Sequence, residues 1–142
     1  MPEPARLAPL RIAMWSGPRN LSTAMMRSFG NRADAEALKA QVALMCRMLF
    51  REGWDDHIAG HITVRDPELT DHFWVNPMGR SFKQMRVSDL LLVSHKGEVV
   101  EGAGLLNGAA FTIHSQIHMS NPAITAAAHS HSVYGKAFSS LG

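Results

Sequence analysis

Two histidines one residue apart, His129 and His131, close a run of small and apolar residues that begins at Ala123. On an extended strand the side chains at i and i+2 point the same way. The two imidazoles would then stand side by side at a strand end, close enough to share one ion. Zinc takes imidazole nitrogen at roughly 2.0–2.1 Å, so the chemistry on offer is half of a metal site. A bare His-x-His pair is equally compatible with two rings that only cap and hydrogen-bond. A second stretch, Gly60-His61-Ile62-Thr63-Val64-Arg65, sets His61, Thr63 and Arg65 on one face of a strand and Ile62 and Val64 on the other. Gly60 would let the backbone approach a ligand closely. That stretch reads either as an anion-binding turn or as an ordinary entry into a strand.

The elements that must position these residues follow from periodicity. Leu38, Val42, Met45 and Leu49 repeat at helical spacing, so residues 35–52 read as a helix that Gly53 stops. Short strands follow at residues 61–65, 73–76, 90–93 and 98–101, the last two joined as a hairpin by the His95-Lys96-Gly97 turn. Asn107 caps a helix over residues 108–119, with Ala110, Ile113 and Ile117 on its buried side and His114 beside them. Asn121-Pro122 ends it, the His-x-His strand comes next, and Ser132 caps a last helix over 133–141. Short turns between neighbouring strands imply antiparallel pairing. Helices at both ends imply a sheet with helical cover, an α/β layered domain.

Composition bounds the rest. The chain has 142 residues, 46% hydrophobic and 18% charged, which suits one ordinary globular domain. No apolar run approaches the roughly 20 residues that span a bilayer, and no secretory signal is present. The single Cys46 excludes an internal disulfide and sits among apolar neighbours as a buried thiol. These features suit the cytoplasm and give no membrane partner. Net charge is +2. Residues 1–34 carry five arginines against Glu3 and Asp34, so the basic surplus belongs to that segment and the remainder offers nothing to nucleic acid. All eight histidines lie between His57 and His131.

Composition changes near residue 34. Residues 10–33 read as a strand, a Gly17-Pro18-Arg19-Asn20 turn and a helix, a stretch that resembles the opening of P-loop sulfotransferase-like proteins. Such a turn can present backbone N–H groups to a phosphate, although the Gly-Lys-Ser/Thr ending of a Walker A loop is missing. Residues 1–34 are therefore expected to be a leader and residues 35–142 the domain proper.

Within that domain, Leu49-Phe-Arg-Glu-Gly53, Ala59-Gly60-His61-Ile-Thr-Val-Arg65-Asp-Pro67, Asn76-Pro-x-Gly79, Val87-Ser-Asp-Leu-Leu-Leu-Val93, Ala110-Phe-x-Ile-His114 and Pro122…His129-x-His131 together resemble the N-terminal part of the class II aldolase/adducin family. The resemblance covers about residues 38–142. It implies a three-layer α/β/α domain with a mostly antiparallel central sheet. It also implies a zinc-dependent aldolase or epimerase acting on a small carbonyl or sugar-phosphate substrate, in a homo-oligomer. By the same resemblance His129 and His131 bind zinc. Gly60, His61, Thr63, Asn76, Gly79 and Ser88 hold the substrate phosphate, with His61 standing where these enzymes usually have Asn.

Two departures qualify the enzyme. The position of the family's catalytic glutamate is Ala110, which cannot transfer a proton. His114, His118 and Glu101 are the substitutes within reach of the sequence. The family's third zinc histidine lies beyond residue 142, so the domain is expected to be C-terminally incomplete and to hold metal weakly. The alternative is a non-catalytic, adducin-like association module.

Overall fold

A computed structural model describes residues 11–15, 34–57 and 59–141. Its six strands form one sheet in the order β1-β6-β2-β3-β4-β5. They are β1 (Arg11–Trp15), β2 (His61–Arg65), β3 (His72–Val75), β4 (Leu91–Ser94), β5 (Val99–Glu101) and β6 (Ile124–His129). From β6 to β5 every neighbouring pair is antiparallel. β1 adds to the outer edge of β6 in parallel, with Trp15 opposite His129. The strand expected near residues 10–16 is therefore part of the same sheet. The Gly17-Pro18-Arg19 turn lies outside the described residues.

Helix α1 (Ala35–Arg51) starts where the Asp34 carboxylate accepts from the Ala37 N–H at 2.6 Å. It ends where Gly53 adopts φ +68°, a conformation that costs glycine nothing. Its stripe of Leu38, Val42, Met45, Cys46 and Leu49 packs on Ile62, Val64, Trp74, Leu92, Ala126 and Ala128. Each such fully buried aliphatic side chain is worth roughly 1.5–3 kcal/mol, so this layer is the main core. Burial also pushes the Cys46 thiol far up, which makes it an inert packing residue.

Helix α2 (Gly108–Ser120) covers the opposite face, and α3 (Val133–Ser139) follows β6. The expected caps are observed. Asn107 accepts from the Ala109 and Ala110 N–H groups, and Ser132 from that of Gly135. The expected apolar side of α2 is observed in part, at Ala110 and His114. Ile113 is 44% exposed, while Ala110, His114, Ser115 and His118 face the sheet. Small Ala110 fits against Phe73, Val75, Leu91 and Val93. One and two turns further on, the histidines meet a strand hydroxyl. Those two contacts set the rotation of the helix, and Ile113 is carried outward. The result is the expected three-layer α/β/α arrangement. No helix among the described residues is long and apolar enough to cross a membrane.

Candidate metal centre and the histidine cluster beside it

β6 carries His129 to its last position, opposite His61 of β2. The chain then leaves the sheet, so His131 sits in the turn rather than on the strand. It is held there by its N–H donating to the Trp54 carbonyl at 2.8 Å, and Ser132 begins α3 immediately afterwards. Despite the bend, the two rings converge. Their Nε2 atoms are 3.0 Å apart, with the ring planes at 82°. Two nitrogens bound tetrahedrally to one zinc at ~2.05 Å stand about 3.3 Å apart, so the spacing suits a pair of cis ligands.

Burial, and then the neighbouring His131, lower the pKa of His129, which favours the neutral ring that a metal requires. The Asp56 carboxylate lies 3.8 Å from His131 Nδ1 and is in turn 3.9 Å from Lys136 Nζ. A carboxylate behind the far nitrogen is the usual way to fix a ligating ring with Nε2 forward. The donors fit half of a catalytic zinc site. No group of three or more His, Cys, Asp or Glu positioned to hold a metal occurs among the described residues.

The turn before β2 abuts this pair. Gly60 has φ +103°, and a Cβ there would meet the Phe82 ring at 3.1 Å and the His129 carbonyl at 3.3 Å. Only glycine lets β2 start so close to the end of β6. Asn76 braces the turn from β3, its Oδ1 accepting from the Ile62 N–H at 2.9 Å and its Nδ2 donating to the Gly60 carbonyl at 3.3 Å. The Thr63 hydroxyl is buried and occupied by two imidazoles, His114 Nδ1 at 2.7 Å and His118 Nε2 at 2.9 Å. Of the six residues expected to hold a phosphate, Gly60 and His61 thus border the histidine pair. Thr63 and Asn76 already spend their polar groups inside the protein. Gly79 occupies an open turn, and Ser88 is exposed in the 3-10 turn Val87–Asp89.

His61 stacks on His129 at 5.2 Å between centroids, and His114 meets His61 edge-on at 5.5 Å. His118 then stacks on Phe73 at 5.3 Å. Burial is the first cause of a lowered pKa in all three rings, to about 4 for His61, about 3 for His114 and about 4 for His118. Repulsion that protonated neighbours would exert adds to it, from His129 on His61 and from His61 on His114, and the Arg65 guanidinium acts on His118. At neutral pH the cluster is uncharged.

The remaining candidate carboxylate is not part of this assembly. Glu101 lies on β5, four strands from β6, where it pairs with Lys39 at 3.6 Å. Ala110 is fully buried among apolar side chains. Sequence reasoning missed Asp56 and the pairing of Thr63 with two histidines. The i, i+4 spacing of His114 and His118 on one helix face was the available signal.

A family model described as the class II aldolase and adducin N-terminal domain matches residues 40–142. Decarboxylase NovR of Streptomyces niveus is 44% identical over 106 residues, covering 73% of this chain and 39% of that protein. The meiotically up-regulated gene 14 protein of Schizosaccharomyces pombe is 41% identical over 102 residues, covering 71% and 40%. Among solved structures, L-fuculose 1-phosphate aldolase from Glaciozyma antarctica PI12 superposes with a TM-score of 0.72 at 45% identity, covering 90% of this chain and 50% of that one. The chain therefore spans half or less of the length of these relatives. The family match begins at residue 40, and the sulfotransferase-like reading of residues 10–33 gains no support from it.

Proposed function

This chain belongs to the class II aldolase and adducin family, and on that premise we propose that it carries the two-histidine half of a metal-dependent carbon–carbon lyase centre for a small carbonyl compound. The observation that carries the reading is the approach of His129 Nε2 to His131 Nε2 at 3.0 Å, with Asp56 behind His131. Zinc, when held there, supplies Lewis-acid stabilisation for negative charge developing on a carbonyl oxygen. Aldol cleavage and decarboxylation both leave an electron pair beside such a carbonyl, so one centre serves either. The names of the aldolase and decarboxylase relatives support that breadth.

In this reading His129 and His131 hold the metal and Asp56 orients His131. Gly60 and His61 border the substrate, and the turns at Gly79 and Ser88 offer donors to a phosphate. Asn76 and Thr63 act from behind. The working unit is a homo-oligomer. The test supplies zinc-loaded protein with L-fuculose 1-phosphate and, separately, with a β-keto acid. Release of dihydroxyacetone phosphate or carbon dioxide is expected, and the His129→Ala/His131→Ala double variant should abolish it. Turnover that survives that variant, or no turnover of either substrate class, would contradict the reading.

A second reading is an adducin-like association module without catalysis. Ala110, where the family's enzymes place a glutamate, favours it, as do the exposed Val133, Tyr134, Phe138 and Leu141 on and after α3. It expects self-association in sedimentation measurements with no turnover. Aldol cleavage gained by Ala110→Glu would speak against it.

A further inference from the structure

On the α2 side of the sheet, His61, Thr63 and Arg65 follow one another along the same face of β2. His61 ends next to His129. Arg65, four residues and roughly 13 Å away, lines a cavity of about 440 Å³ together with Asp71, His95 and His118. Along this face lie His114, Thr63 and, at the cavity wall, His118, all three essentially inaccessible to solvent. We propose that His114, Thr63 and His118 form a proton path that joins the His129–His131 site to this cavity at the other end of β2.

The argument starts from what a hydroxyl can do. Thr63 has one proton to donate and two lone pairs. Its Oγ1 has His114 Nδ1 at 2.7 Å, His118 Nε2 at 2.9 Å and the Ala127 carbonyl at 3.5 Å. The carbonyl is at the limit of a hydrogen bond, so the hydroxyl proton goes to one imidazole and the other imidazole must donate. The two rings therefore hold opposite protonation states at the threonine, and a change in one forces a change in the other.

The transfer balances without charging either ring. At the start His114 donates through Nδ1–H to Thr63, Thr63 donates to His118 Nε2, and His118 carries its proton on Nδ1. As a proton arrives at His114 Nε2 from the side of His61, which meets this ring edge-on, the Nδ1 proton passes to Thr63 Oγ1, the threonine proton to His118 Nε2, and the His118 Nδ1 proton toward the cavity, all in one concerted event. One proton enters and one leaves, and reversal runs the path inward. Two further observations fit. Among the described residues His118 Nδ1 makes no hydrogen bond of normal geometry, and the Ile124 backbone beside it favours a proton on the ring, so this nitrogen has a weak partner from which it can load and unload. His95 Nε2, on the cavity wall, is also buried without a hydrogen-bond partner among the described residues. Burial holds both relay rings neutral, which suits exchange between neutral tautomers rather than through an imidazolium. The use of such a path in chemistry rests on the lyase reading, since Ala110 leaves proton transfer without its glutamate.

The experiment reads the tautomers directly, by long-range 15N–1H correlation of the histidine rings in the full metal-free chain. His118→Leu removes one partner and leaves His114 Nδ1, at 2.7 Å, as a far better acceptor of the Thr63 proton than the Ala127 carbonyl at 3.5 Å. The His114 signals are then expected to shift wholly to the Nε2–H form, although its own hydrogen-bond partner, Thr63, has not changed. Thr63→Val should remove that response to His118→Leu, and Thr63→Ser should preserve it. If His118→Leu leaves His114 unchanged, or unfolds the chain while Thr63→Val leaves both rings with wild-type signals, the path is overturned. In zinc-loaded protein, solvent deuterium exchange into dihydroxyacetone phosphate should fall roughly a hundredfold in kcat for Thr63→Val, with KM unchanged. Thr63→Ser should restore it. Coupled tautomers without any exchange in the wild type would overturn the lyase reading and leave the path standing. Exchange without coupled tautomers would do the reverse.

Discussion

On the α1 side of the sheet, Leu38, Val42, Met45 and Leu49 meet Ile62, Val64, Trp74 and Leu92 in a layer made almost wholly of hydrocarbon. On the α2 side, an apolar patch of Phe73, Val75, Leu91, Val93 and Ala110 shares its face with His61, Thr63, His114 and His118. Alternation along the same strands feeds both layers, since Ile62 and Thr63 are neighbours in sequence and belong to opposite sides. The first layer is stabilised by area removed from water and is indifferent to which atoms meet. The second must satisfy donors and acceptors in a dry interior, where each unpaired group costs about 1–3 kcal/mol. Its hydrogen bonds restrict which residues fit there. They also leave imidazoles poised beside the His129–His131 pair. One face supplies stability, and the other gives up some of it to hold polar groups in place.

Acid should expose this difference most strongly. His114 and His118 have folded pKa values of about 3 and about 4, below the ordinary 6.5. Between those values the unfolded chain binds more protons than the folded one, so stability is full above about pH 6.5 and falls as pH drops toward 4 and 3. The loss between pH 7 and pH 4 should be on the order of 5 kcal/mol, measured by urea unfolding of the metal-free chain. The double replacement His114→Gln/His118→Gln should remove the larger part of that dependence and leave the share of His61. A dependence as steep in the double variant would place its origin elsewhere.

A cavity on the α1 side should come next. Leu49→Ala is expected to cost roughly 3 kcal/mol in the same assay, with zinc affinity unchanged. A change in zinc affinity would show that the two layers are not independent. Thr63→Val, nearly isosteric, should cost about 2 kcal/mol because it strands two imidazole nitrogens. Thr63→Ser should recover most of this. If Thr63→Val were neutral, the hydroxyl would not be holding the histidines. The smallest effect is expected at the rim: Asp56→Asn should weaken zinc binding roughly tenfold, with the unfolding midpoint of the metal-free protein unchanged. Equal affinity would reduce Asp56 to a surface partner of Lys136.

The α1 layer was legible in the sequence because helical and strand periodicities are local and hydrophobic burial is non-directional. Leu38, Val42, Met45 and Leu49 read directly as a stripe, and Asn107 and Ser132 as caps. The His129–His131 pair was legible for a similar reason, although His131 reaches its partner from a turn pinned to Trp54 rather than from the strand. The α2 layer was not. Which side of α2 faces inward depends on Thr63, 51 and 55 positions away from the two histidines it binds. A rule that buries the most apolar residues therefore placed Ile113 on the inner side together with Ala110 and His114. Glu101 looked available only because its place at the far edge of the sheet is a tertiary fact. The engagement of Thr63 and Asn76 within the protein is of the same kind. Their side chains suggested a ligand site, and their partners turned out to be other parts of this chain.

The central claim is that two imidazoles converge on one cation, and calorimetric titration of zinc into the metal-free chain tests it most directly. The account predicts weak, saturable binding of one zinc per chain that disappears in the His129→Ala/His131→Ala variant, while urea unfolding of that variant stays close to wild type. Zinc binding that is undiminished in the variant, or absent from the wild type at the same concentrations, would contradict it.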